Sequence, residues 1–265
     1  MPTVRTGPVI GLIFQVVLLA GLAGTVGLGS GGWLTGIAYG AAMCAALTWG
    51  LHRSGAADLG PADWVTLTRG TLVGGVAALI VESFGRPVPV ELLVTLALVA
   101  LVLDAVDGQV ARRTGTVTEL GARFDMEVDV FLALVLSVYA THQVGAWALV
   151  IGGMRYAFVV ATWVLPWMRM SLPPRYWRKV VAATQGAVLI AATADVLPRS
   201  LTVAALAVAL VLLVESFGRD VVWLWHHRPV RSAARVLRPA GRHGLSLRTH
   251  RPVELPLTVA ATREG

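Results

Sequence analysis

The sequence predicts an all-α protein that crosses a membrane several times. Of its 265 residues, 56% are hydrophobic and 14% are charged, and the mean hydropathy is +0.71, well above that of ordinary soluble domains. Eight long apolar runs divide the chain, and basic residues collect between alternate runs. These three observations exclude a soluble cytosolic enzyme and indicate a function in or against a lipid bilayer.

Each apolar run is predicted to form one helix, because about 20 apolar residues span the hydrocarbon core of a bilayer. The fifth run is the shortest, and we expect a tight turn at His142, Gln143 and Gly145 to separate it from the sixth. The runs cover residues 9–28, 33–51, 65–83, 88–103, 130–140, 146–165, 180–197 and 201–217.

The basic residues predict the orientation of these helices. The chain has 22 Lys and Arg against 15 Asp and Glu, a net charge of +7. With the N-terminus in the cytoplasm, most of the cations fall in cytoplasmic segments, as the positive-inside rule requires. Only Arg86 and Arg199 fall outside, and Arg155 lies within a span. The basic excess therefore indicates cytoplasmic loops and a multi-pass cell-membrane protein, and not a partner made of nucleic acid.

Three further features of the sequence bear on the cell type and on the ends of the chain. Arginine outnumbers lysine 21 to 1, which favours a GC-rich bacterial genome, and the single Cys44 excludes an internal disulfide. Residues 226–265 contain eight Arg and four Pro without a long apolar run, so we predict a basic, disordered cytoplasmic tail there. The hexapeptide Val-Glu-Ser-Phe-Gly-Arg occurs at 81–86 and again at 214–219.

Four aspartates cluster where the fourth and fifth helices meet, namely Asp104, Asp107, Asp125 and Asp129. Carboxylates near a membrane span are costly, so such a concentration indicates function. Helical spacing gives the first two a common face, and Asp125 and Asp129 share a face of the next helix. A short connection would then point all four carboxylates at one another. Hard oxygen ligands of this kind suit Mg²⁺ or Mn²⁺.

The neighbours of these acids predict what binds beside them. Gly108, Ala111 and Gly121 present almost no side chain on the same faces, which leaves a cleft for a ligand. The planar guanidinium group of Arg112 can bind two phosphate oxygens at once. Acids, a divalent ion, small residues and an arginine at the cytoplasmic edge of the membrane describe a site for a diphosphate with a lipid attached.

The same residues carry a resemblance to a known family. Residues 104–129 match without a gap the pattern D-x2-D-G-x2-A-R-x8-G-x3-D-x3-D of the CDP-alcohol phosphatidyltransferases. Family members commonly carry N-x-x-T-x-x-R before this pattern, and here Asp63, Thr66 and Arg69 occupy those places. Asp63 departs from the family's Asn. The resemblance implies a six-helix transferase core over 61–225, preceded by two extra transmembrane helices over 1–60.

The resemblance also implies roles for these residues. Two divalent ions would be held by Asp104, Asp107 and Asp125, with Asp129 near the same ions and acting as general base. The donor would be CDP-diacylglycerol, and CMP would be released in phospholipid synthesis from a homodimer. The residues implied to bind the CDP-lipid are Thr66, Arg69, Asp107, Gly108, Ala111, Arg112 and Gly121.

The acceptor alcohol stays open. An arginine inside a span should face a polar cavity, so Arg155 is a candidate for binding an acceptor phosphate. Arg175, Arg178 and Lys179 in the next cytoplasmic loop extend this candidate set. It favours glycerol 3-phosphate or inositol phosphate over serine or phosphatidylglycerol. A different class of function, a cation or solute transporter that uses the intramembrane carboxylates, is the alternative.

Overall fold

The fold is described from a computed structural model of the chain. It describes residues 6–54, 59–114, 118–170, 172–173 and 175–228. For Ser54, Asp107, Val110, Ala111, Arg112 and Thr114 only the backbone is described. The predicted basic tail, apart from residues 226–228, lies outside the described residues.

All regular structure in the described part of the chain is helical. The prediction of an all-α protein with several membrane-spanning helices is confirmed. The eight long helices are α1 (Thr6–Val26), α2 (Ser30–Ser54), α3 (Pro61–Glu82), α4 (Val90–Thr114), α5 (Glu119–Val144), α6 (Leu149–Val164), α7 (Tyr176–Thr193) and α8 (Arg199–His226). Short 3-10 turns at Ala146–Ala148 and Pro166–Arg169 flank α6.

Five segments of the described residues are long and apolar enough to cross a membrane. They are α1, α2 as far as Arg53, α3, the segment Ala146–Val164, and α8. That α4, α5 and α7 also cross the membrane stays a prediction.

Helices α4 and α5 are longer than the apolar runs that predicted them. The fifth apolar run covers 11 residues, 130–140, whereas α5 has 26 residues and begins at Glu119. Its N-terminus is capped by Thr118, whose Oγ1 accepts a hydrogen bond of 2.9 Å from the Gly121 amide. The helix ends at Val144 and is followed by Gly145, which has a positive φ of 93°. The chain therefore turns at Gly145, whereas His142 and Gln143, predicted to lie in the turn, are still helical. The added polar turns carry Asp104 on α4 and Asp125 on α5.

Helix α3 is the central helix of the fold. It contacts α1, α2, α4 and α5, and fifteen of its residues are buried. Small residues permit this close packing: a Cβ added at Gly74 would lie 2.5 Å from Oε1 of Gln15 and 2.7 Å from Cδ1 of Tyr39. The N-terminal helices α1 and α2 therefore pack directly on the helix that carries Thr66 and Arg69.

The two copies of the hexapeptide make the same local contact in different settings. In each copy the Glu and the Arg form an ion pair four residues apart, Glu82 with Arg86 and Glu215 with Arg219. Each Glu also accepts a hydrogen bond of 2.8 Å from another segment. The Gly29 amide between α1 and α2 donates to Glu82, and Nε1 of Trp177 on α7 donates to Glu215. Both copies thus join neighbouring helices.

Candidate active site

Helices α4 and α5 bring three aspartates together. Asp104 comes from α4, and Asp125 and Asp129 lie one turn apart on α5. One carboxylate oxygen from each of the three lies within 4.8 Å of the others. Carboxylates this close repel one another unless a cation or a proton compensates their charge.

Arg69 of α3 is the cation at the centre of this cluster. Its Nη1 lies 3.1 Å from Oδ1 of Asp104 and also pairs with Asp125, while its Nη2 pairs with Asp129. The two ends of the planar guanidinium match the one-turn spacing of the acids on α5. The Arg69 side chain is only 1% exposed, whereas the three carboxylates are 36–45% exposed. The cation thus sits behind the acids and leaves them accessible in front.

The start of α3 is fixed against the start of α5 by Asp63. Its Oδ2 accepts a hydrogen bond of 2.9 Å from the Gly60 amide, which caps α3. A Cβ added at Gly121 would collide with the Asp63 carboxylate. Gly121 therefore permits the close approach of the two helices that carry Arg69 and its partner acids. The Asp63 side chain is buried and serves this helix end.

The three carboxylates open into a cavity of about 500 Å³ between α4, α5 and α7, which we call the carboxylate cavity. Gly108 lines it beside Asp104, and Lys179 and Gln185 line it from α7. Farther along α5 its wall becomes apolar. The apolar part is formed by Leu101, Val130, Leu132, Ala133 and Leu136.

The donor set of this site fits a divalent ion. Within the cluster itself, three ionised carboxylates exceed the single guanidinium of Arg69 by two negative charges. Accessible carboxylate oxygens are the ligands that Mg²⁺ and Mn²⁺ prefer. Asp107, predicted to be a fourth ligand, has a side chain outside the described residues.

The structure separates the four residues predicted to bind the acceptor. Lys179 lines the carboxylate cavity. The guanidinium groups of Arg175 and Arg178 pair with the buried Asp220 of α8, at 3.8 Å and 3.3 Å. Asp220 thus compensates the charge of these two arginines, which follow one another within one turn before Lys179. A role of each residue in acceptor binding stays a prediction.

Arg155 lies on the other side of α5. It lines a second cavity, of about 750 Å³, between α2, α5 and α6. We call this the arginine cavity, because Arg53 and Arg123 line it too. Nη2 of Arg155 donates to Sδ of Met126 at 2.7 Å, and its Nε is buried without a hydrogen-bond partner among the described residues. Arg155 therefore faces a cavity that other charged residues line, but a different one from that of the carboxylates.

The remaining predicted site residues have these positions. Thr66 is buried one turn before Arg69, and its hydroxyl donates a hydrogen bond of 3.2 Å to the Ala62 carbonyl oxygen. The predicted CDP-lipid contacts of the Ala111 and Arg112 side chains lie outside the described residues.

Two features of the site escaped interpretation of the sequence. The resemblance implies that Arg69 binds the lipid donor, but not that it pairs with three aspartates. An arginine within an apolar helix does indicate a buried partner. The predicted site does not include Gln185, which the structure places on the wall of the carboxylate cavity. The sequence does contain a signal for it, because a polar amide inside the apolar run 180–197 is unusual.

These features define a class of protein: a polytopic α-helical membrane protein with an acidic, metal-competent site at helix ends. The particular family follows from a comparison of the whole chain with family models. The model described as CDP-alcohol phosphatidyltransferase matches residues 60–215, more than half of the chain. The chain belongs to this family and is therefore a transferase. No curated protein and no solved structure matches the chain.

Membership of this family supports phosphatidyl transfer in phospholipid synthesis and the use of a divalent metal ion. It implies a CDP-alcohol donor and an alcohol acceptor within a membrane. The transferase interpretation is accordingly favoured over the transporter, which would need carboxylates spread through several spans near the bilayer midplane.

Proposed function

We propose that this protein transfers a phosphatidyl group from CDP-diacylglycerol to a small alcohol and releases CMP. The observation that carries the proposal is the group of accessible carboxylates on Asp104, Asp125 and Asp129, held from behind by Arg69. It lies within the residues that the family model matches. The active site would face the cytoplasm of a bacterial cell, and the working form would be a homodimer.

The acids would divide the chemistry between them. Asp104, Asp107 and Asp125 would hold two divalent ions, with Asp129 near them. The Mg²⁺ or Mn²⁺ ions held there would neutralise charge on the diphosphate and favour the departure of CMP. Asp129 accepts the proton of the acceptor hydroxyl, whose oxygen forms a bond to the lipid-side phosphorus as the bond to CMP breaks. Arg69 holds Asp125 and Asp129 in position for these roles.

Contacts to the donor would come from the small residues and the cations around the acids. Gly108 lines the carboxylate cavity and leaves room beside Asp104. Thr66, Arg69, Ala111, Arg112 and Gly121 complete the proposed CDP-lipid contacts. The proposed core is residues 61–225, with α1 and α2 as an addition to it.

A phosphorylated acceptor, such as glycerol 3-phosphate or inositol phosphate, suits this site best. Lys179 supports this choice, because it lines the same cavity as the carboxylates and the ammonium group of a lysine binds phosphate. Arg155, Arg175 and Arg178 stay candidates for the same role from their separate positions.

The test is CMP release by the purified full-length protein in detergent. It receives labelled CDP-diacylglycerol, Mg²⁺ or Mn²⁺, and in turn glycerol 3-phosphate, inositol phosphate, serine and phosphatidylglycerol. We expect release with a phosphorylated acceptor, none in the presence of EDTA, and a decrease of about 10²- to 10⁴-fold for Asp129→Asn, the usual effect of losing a general base.

Glu91→Gln is the matched control, because it removes one charge from an exposed carboxylate at the other end of α4. It should leave the rate unchanged. Absence of CMP release with every acceptor, or equal release from wild type and Asp129→Asn, would overturn the proposed mechanism.

A further inference from the structure

Gln185 is a buried amide on the wall of the carboxylate cavity. Its side chain lies on α7 and is 8% exposed. Its Nε2 atom is buried and makes no hydrogen bond with a described residue. A buried donor without a partner costs free energy, so such a group on a cavity wall indicates a ligand that accepts its hydrogen bond.

The cavity has two chemically different ends, and Gln185 lies where they meet. The charged end holds Asp104 and Asp129, with Lys179 at its edge. Gln185 is six residues farther along α7 than Lys179, about 9 Å at the helical rise. At that level α7 approaches α4 beyond Asp104, since a Cβ added at Gly186 would lie 3.3 Å from Cδ1 of Leu101.

Beyond this level the cavity wall is hydrocarbon. On α5 it is formed by Leu132, Ala133 and Leu136, which follow Asp129 along the helix. With the divalent ions of the proposed function held by the carboxylates, a ligand that fills the whole cavity would have a polyanionic group, then a hydrogen-bond acceptor, then an apolar chain. A diacylglycerol diphosphate has these three parts in this order, because its ester carbonyls lie between the phosphate and the acyl chains.

We propose that the Gln185 amide donates a hydrogen bond to an ester carbonyl of the lipid donor and selects ester-linked over ether-linked lipid. This inference rests on the proposed function for the identity of the donor. Gln185 would then be a specificity-determining residue that contacts the donor but takes no part in proton transfer.

The test compares two donors, CDP-diacylglycerol and the analogue with two ether-linked chains of the same length, which lacks the carbonyl oxygens. For wild type we expect kcat/KM to be about fivefold higher with the ester donor, the usual contribution of one hydrogen bond. Gln185→Met keeps the length of the side chain but not the donor. In this variant the preference should fall to about one, through loss of activity on the ester donor. The ratio does not depend on how much of each preparation is active.

Gln15→Met is the matched control. Gln15 is also a fully buried amide, and neither of its polar atoms hydrogen bonds to a described residue, but it packs against Gly40 and Gly74 among α1, α2 and α3. This variant should keep the fivefold preference. A Gln185→Met protein that keeps the preference, or that changes only the KM of the alcohol, would overturn the proposal.

Donor binding without turnover separates this inference from the proposed function. The rise in unfolding temperature on adding either donor, with no alcohol present, gives the same ester-to-ether comparison. If no alcohol yields CMP but wild type binds the ester donor more tightly and Gln185→Met does not, the transfer proposal fails and the Gln185 contact stands. Equal binding of the two donors by wild type would overturn the contact itself.

Discussion

The two cavities on either side of α5 differ in charge and in how their arginines are compensated. The carboxylate cavity receives Asp125 and Asp129 from α5, and its guanidinium, Arg69, is buried behind three acids. The arginine cavity receives Arg123, Met126 and Glu127 from the same helix. There Arg155 forms no ion pair with a described residue and donates to a sulfur atom instead.

The difference shows that α5 contributes side chains to two chemically different cavities, because neighbouring residues of a helix lie on different faces. Residues 125 and 129 are four apart and share one face, whereas Met126 and Glu127 turn toward the other cavity. The N-terminal helix α2 contributes to the arginine cavity, while α3 supplies the cation of the carboxylate cavity. The proposed site for transfer therefore consists of residues that the family model matches, whereas α2 lines a separate cavity.

The largest difference between the two cavities is expected when the arginine of each is replaced. Arg69→Met leaves three neighbouring carboxylates without their buried cation, so we expect a loss of about 3 kcal/mol in the free energy of unfolding. CMP release should fall by about 100-fold, since the acids lose their positions. Arg155→Met, which breaks no ion pair with a described residue, should change the stability by less than about 1 kcal/mol. Thermal unfolding in detergent and the CMP assay measure both, and equal losses of stability would contradict the comparison.

An intermediate effect is expected where α5 meets α3. Gly121→Ala places a methyl group against the Asp63 carboxylate, which must move away from the Gly60 amide. We expect a loss of about 1–2 kcal/mol in stability, from overpacking and a weakened helix cap. Gly153→Ala on α6 is the control, because a Cβ there has nothing within 4 Å; it should be neutral or slightly stabilising. Equal unfolding temperatures for the two variants would argue against close packing at Gly121.

The smallest effect is expected at the edge of the arginine cavity. Glu119 pairs with Arg123 at 2.6 Å, one turn along α5, but both side chains are largely exposed, at 82% and 74%. Solvent screens such a pair, so Glu119→Gln should change the free energy of unfolding by less than about 0.5 kcal/mol. A loss as large as that of Gly121→Ala would mean that the edge of this cavity is shielded from solvent.

Much of the fold was predictable, because helices that span a membrane have a distinctly apolar composition. Eight apolar runs predicted the eight long helices, and the turn at Gly145 was expected from the polar break after the fifth run. The lengths of α4 and α5 were underestimated, since their added turns are polar and belong to the site. Helix capping by Thr118 and the packing of α5 against α3 extend α5 where hydropathy predicts nothing.

The candidate site was predictable where helical spacing places its residues on the facing sides of two consecutive helices. The spacing of Asp104, Asp125 and Asp129 predicted that they would meet, and the structure brings them together. The basic residues followed no such spacing. Asp220, far along the chain on α8, holds Arg175 and Arg178, and spacing within one loop contains no information about that partner.

By itself, the sequence determined the class of protein, the positions of the helices and the acids that share a face, because these depend on composition and on local period. Only the tertiary structure decided which cation those acids meet and that Arg155 and Lys179 line different cavities. It also decided that Nε2 of Gln185 is buried without a hydrogen bond to a described residue. These outcomes depend on which helices pack side by side. The role of a buried charge or amide depends on neighbouring side chains that lie tens of residues away in the chain.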